Sequence, residues 1–171
     1  MPVRSFLSTA QFVGLALLVA CARAPAPAPP APAPVVAPAV AAPAHIDLVA
    51  APAEGEVAPY VKAELTRAVG DGRQVLVYVG ATWCEPCQRF HNAAKAGLVD
   101  RDFGALRLLE FDLDRDRERL AAAGYASEMI PLFALPAADG KSTGRGIQGS
   151  IKGDGAVDNL RPRLQELLGR R

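Results

Sequence analysis

Thr82-Trp83-Cys84-Glu85-Pro86-Cys87 puts two of the chain's three cysteines three positions apart, directly after the β-branched and aromatic run Gln74-Val75-Leu76-Val77-Tyr78-Val79. Three chemistries fit such a pair: a redox couple, half of a metal site, or two small core residues. The run before it is nearly continuous in apolar residues, as expected of a central strand covered on both faces. If a helix starts at the cysteines, Cys84 sees unsatisfied backbone N–H groups and the positive end of the helix dipole, which favour thiolate over thiol. Cys84 is thus the expected nucleophile. Cys87 would share its helical face, close enough to displace Cys84 from a mixed disulfide. Pro86 suits a first helical turn, where no N–H is needed.

Working outward from the pair, the remaining elements alternate. Ile46–Val49 reads as a brief edge strand. Pro59–Val69 has Tyr60, Val61, Leu65 and Val69 at helical spacing and ends at Gly70-Asp71-Gly72. A long helix is expected from the cysteines toward a second apolar strand, Leu106–Leu113, and a helix over 115–123 follows. Pro131–Leu135 is a third apolar run, Ala138-Asp139-Gly140-Lys141 signals a hairpin, and a polar strand is expected near Gly146–Ile151. Leu160, Leu164, Leu167 and Leu168 mark a closing amphipathic helix. Strands alternating with helices and ending in a hairpin predict an α/β domain with a central mixed sheet flanked by helices.

This order resembles the thioredoxin family. A strand runs into Trp83-Cys84-Glu85-Pro86-Cys87, and Ile130-Pro131 opens a later apolar strand at the separation where the family has a cis-proline facing the cysteines. The resemblance covers roughly Ile46 to Leu168. It implies a thioredoxin-like fold and a thiol–disulfide oxidoreductase in which Cys84 and Cys87 are catalytic. Trp83, Glu85, Pro86, Ile130 and Pro131 support them, and substrate is laid as extended chain against the backbone near Ile130. The redox-active disulfide is itself the reacting group, so no separate cofactor or metal is expected. Glu85 is the variable position: a carboxylate beside the thiolate opposes the dipole, which predicts a reductant or isomerase rather than a strong oxidant. An exposed Glu85 would be screened.

Two departures from the family stand out. Thioredoxins carry a buried aspartate where this chain has Tyr78, which leaves Glu110 or a water as candidate proton acceptors for Cys87. His91 follows Cys87 by one helical turn, and Cys84, Cys87 and His91 together offer soft or borderline ligands for zinc or copper. Metal binding or delivery is therefore the rival function, and an inactive thioredoxin-like binding module is a second. The bland reading of His91 is a partly exposed helix residue with no role. Asp112-x-Asp114-x-Asp116 lacks the glycine and distal glutamate of a calcium loop and reads as a solvated lead-in to the helix, with Arg115–Arg119 as its wet face. Gly144-x-Gly146 and Gly153-x-Gly155 read as turn glycines without a phosphate-binding context.

The N-terminal part has another character. Residues 1–20 carry Arg4 and an apolar stretch from Phe12 to Ala20, which suits a secretory signal better than a bilayer span. Leu18-Val19-Ala20-Cys21 resembles the bacterial lipobox, which implies cleavage before Cys21, its lipidation and attachment of an exported protein to a membrane facing the periplasm. Ala22 points to the outer membrane. Residues 21–45 form an Ala/Pro-rich linker holding more than half of the fifteen prolines. It is expected to be disordered, mostly polyproline II, and to reach roughly 70 Å at about 3.1 Å per residue. The domain proper is then 46–171. Nineteen basic residues balance eighteen acidic ones, for a net charge of +1, which gives no field for nucleic acid. Expected partners are exported proteins with cysteines, a separate electron-donor protein, and a membrane through the N-terminal lipid.

Overall fold

The structure, a computed structural model, describes residues 45–170. The expected signal peptide (1–20), Cys21 and nearly all of the expected linker (21–45) lie outside the described residues.

A five-stranded sheet in the order β1-β3-β2-β4-β5 forms the middle of the domain. β1 (Asp47–Ala50) and β2 (Gln74–Gly80) each run parallel to β3 (Leu106–Asp112). β4 (Leu132–Pro136) is antiparallel to β2, and β5 (Ser142–Gln148) is antiparallel to β4. β2 is central, as its apolar run predicts, and its alternating side chains build two cores. Leu76 and Tyr78 point toward α2 (Glu85–Lys95), the short α3 (Asp100–Phe103) and α5 (Ala156–Leu167), where they meet Phe90, Phe103, Leu160 and Leu164. Val75, Val77 and Val79 point the other way, onto Val57, Val61 and Ala68 of α1 (Val57–Gly70) and Leu120 of α4 (Leu113–Ala122). This is the mixed-sheet α/β architecture of the thioredoxin-like fold.

Several expectations shift. The helix after the cysteines is shorter than predicted: it ends at Lys95, Gly97 turns the chain at φ +74°, and α3 follows. β5 starts at Ser142, directly after the hairpin, and has ended before Ile151. Its sequence, STGRGIQ, hides a strand among turn-forming residues. Gly144 and Gly146 therefore lie inside β5, and a Cβ on Gly146 would come within 2.7 Å of Phe133 O. In α1, Val69 is 82% exposed while Glu64 is buried at 4% and paired with Arg67 and Arg107. Periodicity favours an apolar residue on the inner face, but a guanidinium reaching over from β3 makes a carboxylate stable there.

The largest correction concerns Asp116, which is not on a wet face: it is fully buried. It accepts the Asp112 N–H at 3.0 Å, Arg115 Nε at 2.7 Å and Arg119 Nη2 at 2.9 Å. Arg119 also donates to the carbonyls of Pro52, Glu54 and Gly55 and lies over the Phe111 ring. The aspartate run is thus the joint between β3, α4 and the loop after β1. Asp112 caps α4, accepting the N–H groups of Asp114 and Arg115.

Candidate active site

The cysteines sit where β2 ends. Gly80 pairs in register with Asp112 at the last rung of β3, and Val79 pairs with Leu132 at the first rung of β4, so the ends of three strands converge on the segment Ala81–Cys84. Cys84 is the N-cap of α2, with extended backbone, and Pro86 occupies its first turn. Cys84 Sγ accepts the N–H of Cys87 at 3.3 Å, so the helix terminus solvates this sulfur with a backbone dipole. Cys84 and Cys87 are joined in a disulfide with their Cα atoms 5.2 Å apart. Both side chains are buried, packed into the core that holds Tyr78, Phe90 and Phe133. A pair that closes a disulfide at a helix N-terminus is chemically able to exchange it.

Around the disulfide, Trp83 is 63% exposed and its indole N–H donates to Asp114 at 2.7 Å. This bond gives the second aspartate of the run a place at the site. The Ile130–Pro131 peptide is cis, at the entry to β4, and Ile130 packs against both cores. Met129 and Ile151 are further exposed apolar side chains in the segments that flank β4 and β5.

Glu85 keeps part of its expected exposure and is tied to two partners. Its carboxylate accepts from Arg89 and from the N–H of Gly153 at 3.2 Å, and Arg89 in turn binds Asp154 at 2.6 Å. The Arg89 hydrogen bond and then the Gly153 N–H hold its carboxyl below the ordinary carboxylate range. It is ionised, but its charge is shared with a guanidinium, so its opposition to a Cys84 thiolate is weaker than a bare carboxylate's.

Behind Cys87, His91 is partly exposed on α2, as its bland reading has it, and its ring is paired. His91 Nδ1 lies 2.7 Å from Glu110 Oε1, and Tyr78, the register partner of Glu110 on β2, donates its hydroxyl to Cys87 O at 3.2 Å. Burial, followed by the charge of Glu110, pushes the Tyr78 phenol well above its ordinary value. Tyr78 therefore stays protonated and acts as a donor. With the sulfurs bonded to each other and His91 turned to Glu110, the set Cys84, Cys87 and His91 does not form a ligand cluster. Among the described residues no three histidine, cysteine or acidic side chains converge as a metal-ligating group.

Solved structures similar to this chain include thioredoxins. A poplar thioredoxin h shares 19% identity over 74% of this chain and 99% of its own, with a TM-score of 0.44. Trichomonas vaginalis thioredoxin shares 22% over 70% and 96%, with a TM-score of 0.43. A mutant thioredoxin from Halobacterium salinarum shares 21% over 72% and 93%, with a TM-score of 0.40. No family model and no curated protein matches the chain. Strand order and helix placement within the chain itself define a thioredoxin-like fold, and the site adds a cysteine pair closed as a disulfide at the N-terminus of α2.

Proposed function

We propose that the chain is a thiol–disulfide oxidoreductase acting on exported proteins as a reductant or isomerase. The observation that carries this reading is the placement of Cys84: it caps α2, takes one backbone N–H on its sulfur, and is already bonded to Cys87. The attacking thiolate of Cys84 would form a mixed disulfide with substrate, and Cys87 would displace it. Trp83, Pro86, Ile130 and Pro131 would shape the approach, with substrate laid as a strand near Ile130. The reducing direction is supported by what surrounds Cys84. No cationic side chain bonds its sulfur among the described residues, so the thiolate lacks the stabilisation that makes strong oxidants. Electrons would come from a separate dithiol protein, since the chain supplies a single cysteine pair beyond Cys21. Lipidation at Cys21, membrane attachment on the periplasmic side and an outer-membrane address complete the proposal, motivated by the Leu18–Cys21 motif and Ala22.

The test uses the full chain with a disulfide-bonded peptide as substrate. Cys84→Ser should abolish reduction, and Cys87→Ser should accumulate a covalent peptide adduct visible by mass. Equal residual activity in the two variants would overturn the mechanism. A reduction potential near −270 mV supports the reducing direction, whereas one near −120 mV would make the protein an oxidant.

A further inference from the structure

Resolution of a mixed disulfide needs a thiolate at Cys87, and Cys87 is in the worst place to form one. It is 3% exposed inside an apolar cluster, and a thiol in such surroundings resists ionisation. The groups closest to it in the fold give no base: Tyr78 is a protonated donor to Cys87 O, and the remaining neighbours in the cluster are apolar or the partner cysteine.

An opening reaches this residue. A cleft of about 550 Å³ is lined by Cys87 and Tyr78 together with Gln88, His91, Glu110 and Arg115. The polar groups brought to it by each element can be sorted by their existing bonds. From β3, the Asp112 carboxylate caps α4. From α4, Arg115 is bound to Asp116. From β2 and the segment after it, Tyr78 stays a phenol and Thr82 brings a neutral hydroxyl; from α2, Gln88 donates to Thr82 O and Asn92 is neutral; from the end of β1 come only Ala50 and Ala51. What is left is His91 of α2 and Glu110 of β3, 2.7 Å apart. Glu110 takes the position next after Leu108 on the side of β3 that faces α2, where an apolar residue would continue the core. A carboxylate there orients the ring: with Nδ1–H donated to Glu110, the basic atom of the imidazole is Nε2.

We propose that His91, oriented by Glu110, accepts the Cys87 proton through water admitted to this cleft. The inference rests on the exchange reading of the cysteine pair. In the step, the Cys87 S–H proton passes to His91 Nε2 and the Cys87 sulfur attacks Cys84 Sγ. The Cys84–substrate S–S bond breaks, and the substrate sulfur leaves as a thiolate that takes a proton from solvent. Two electrons pass from the dithiol to the substrate disulfide, and the imidazolium that forms beside Glu110 releases its proton to the cleft. His91 is the base and Glu110 a positioning residue.

The test separates the two cysteines in one trace. The reduced full chain, carrying Cys21→Ser in every variant so that Cys84 and Cys87 are its two thiols, is mixed with excess 5,5′-dithiobis(2-nitrobenzoate). The first equivalent of thionitrobenzoate reports attack by Cys84 and the second reports displacement by Cys87. His91→Gln is expected to leave the first phase within about twofold and to slow the second about a hundredfold at pH 7, the low end for a positioned base. The deficit should shrink as pH rises toward about 8.5, where an ordinary thiol ionises unaided. Glu110→Gln should slow the same phase by a smaller factor, and millimolar imidazole should restore it in His91→Ala. A second phase unaffected by His91→Gln, or slowed by one factor at every pH with no imidazole rescue, overturns the relay while leaving the exchange reading intact. Release of fewer than two equivalents by the wild type overturns both.

Discussion

Replacing Asp116 by asparagine keeps the shape of a fully buried side chain and removes its charge. In the wild type that carboxylate takes the Asp112 N–H, two donors of Arg115 and two of Arg119, at 2.7–3.0 Å. An amide cannot accept from all of them, and its own NH2 meets guanidinium groups that also donate. Breaking a buried pair costs about 3–5 kcal/mol. Arg115 is 43% exposed and can recover water, which favours the lower end, about 3 kcal/mol. For a domain of this size that lowers Tm by about 10 °C. In urea, with m of about 2 kcal/mol/M, the midpoint falls by about 1.5 M. The pH dependence carries a sign. Burial alone would raise the pKa of Asp116, but the hydrogen bonds from Arg115, Arg119 and the Asp112 N–H outweigh it and hold it below the ordinary carboxylate value. A depressed acid contributes its full stability above its unfolded-state pKa of about 3.9 and loses it as pH falls through the folded value. Wild type and Asp116→Asn should therefore differ by a constant amount near neutrality and converge below about pH 4. Urea melts followed by circular dichroism at pH 7 and pH 2.5 measure both. A cost under about 1 kcal/mol at pH 7, or the same cost at both pH values, would refute the reasoning.

Other perturbations probe the site. Glu85→Gln should raise the reduction potential by less than about 30 mV, since Arg89 already shares the carboxylate's charge, and Glu85→His should raise it further. Arg89→Ala, which leaves the carboxylate unshared, should lower it; titration in glutathione buffers reads all three. Asp114→Ala frees the indole N–H of Trp83, the only tryptophan, and should change its emission and slow adduct formation with a peptide disulfide severalfold, with the potential unmoved. Gly140→Ala should cost about 3 kcal/mol or more in thermal melts. The reason is that its φ is +85° and a Cβ there would meet Ala58 O at 1.9 Å. Gly153→Ala, at φ +84° but in open space, should cost markedly less.

How much of this was visible in the sequence depends on how far apart the partners lie. β2 and the start of α2 are legible because a strand run, a helix cap and a proline follow one another without a break. The closing helix is legible for the same reason: its leucines keep a helical period. β5 is legible as a polar strand after the hairpin but not in its bounds, because an edge strand with little core to cover carries Ser, Thr, Gly and Arg in place of apolar alternation. Asp116 misleads for a different reason, and Glu64 carries no sign of its burial in the sequence. A carboxylate on a helix reads as solvated, and only the arginines that surround it in three dimensions, Arg107 from β3 and Arg119 with its carbonyl contacts, reveal it as interior. Trp83, the two cysteines and Pro131 could be picked out by motif. The pairing of His91 with Glu110 could not, because it joins a helix to a strand that follows it in the chain and depends on their register. A weak signal existed: Glu110 interrupts the apolar run Leu106–Phe111 on the side where Leu106 and Leu108 are core.

The ties of Glu85 bear on how the two residues between the cysteines can be treated. Because the Glu85 carboxylate also fastens the Gly153 turn, and Arg89 extends that fastening to Asp154, the dipeptide is not a removable cartridge. Grafting another protein's pair of residues into this chain would retune the sulfur chemistry and unhook a loop in the same stroke. Any shift in substrate preference that followed would be a matter of shape as much as of voltage.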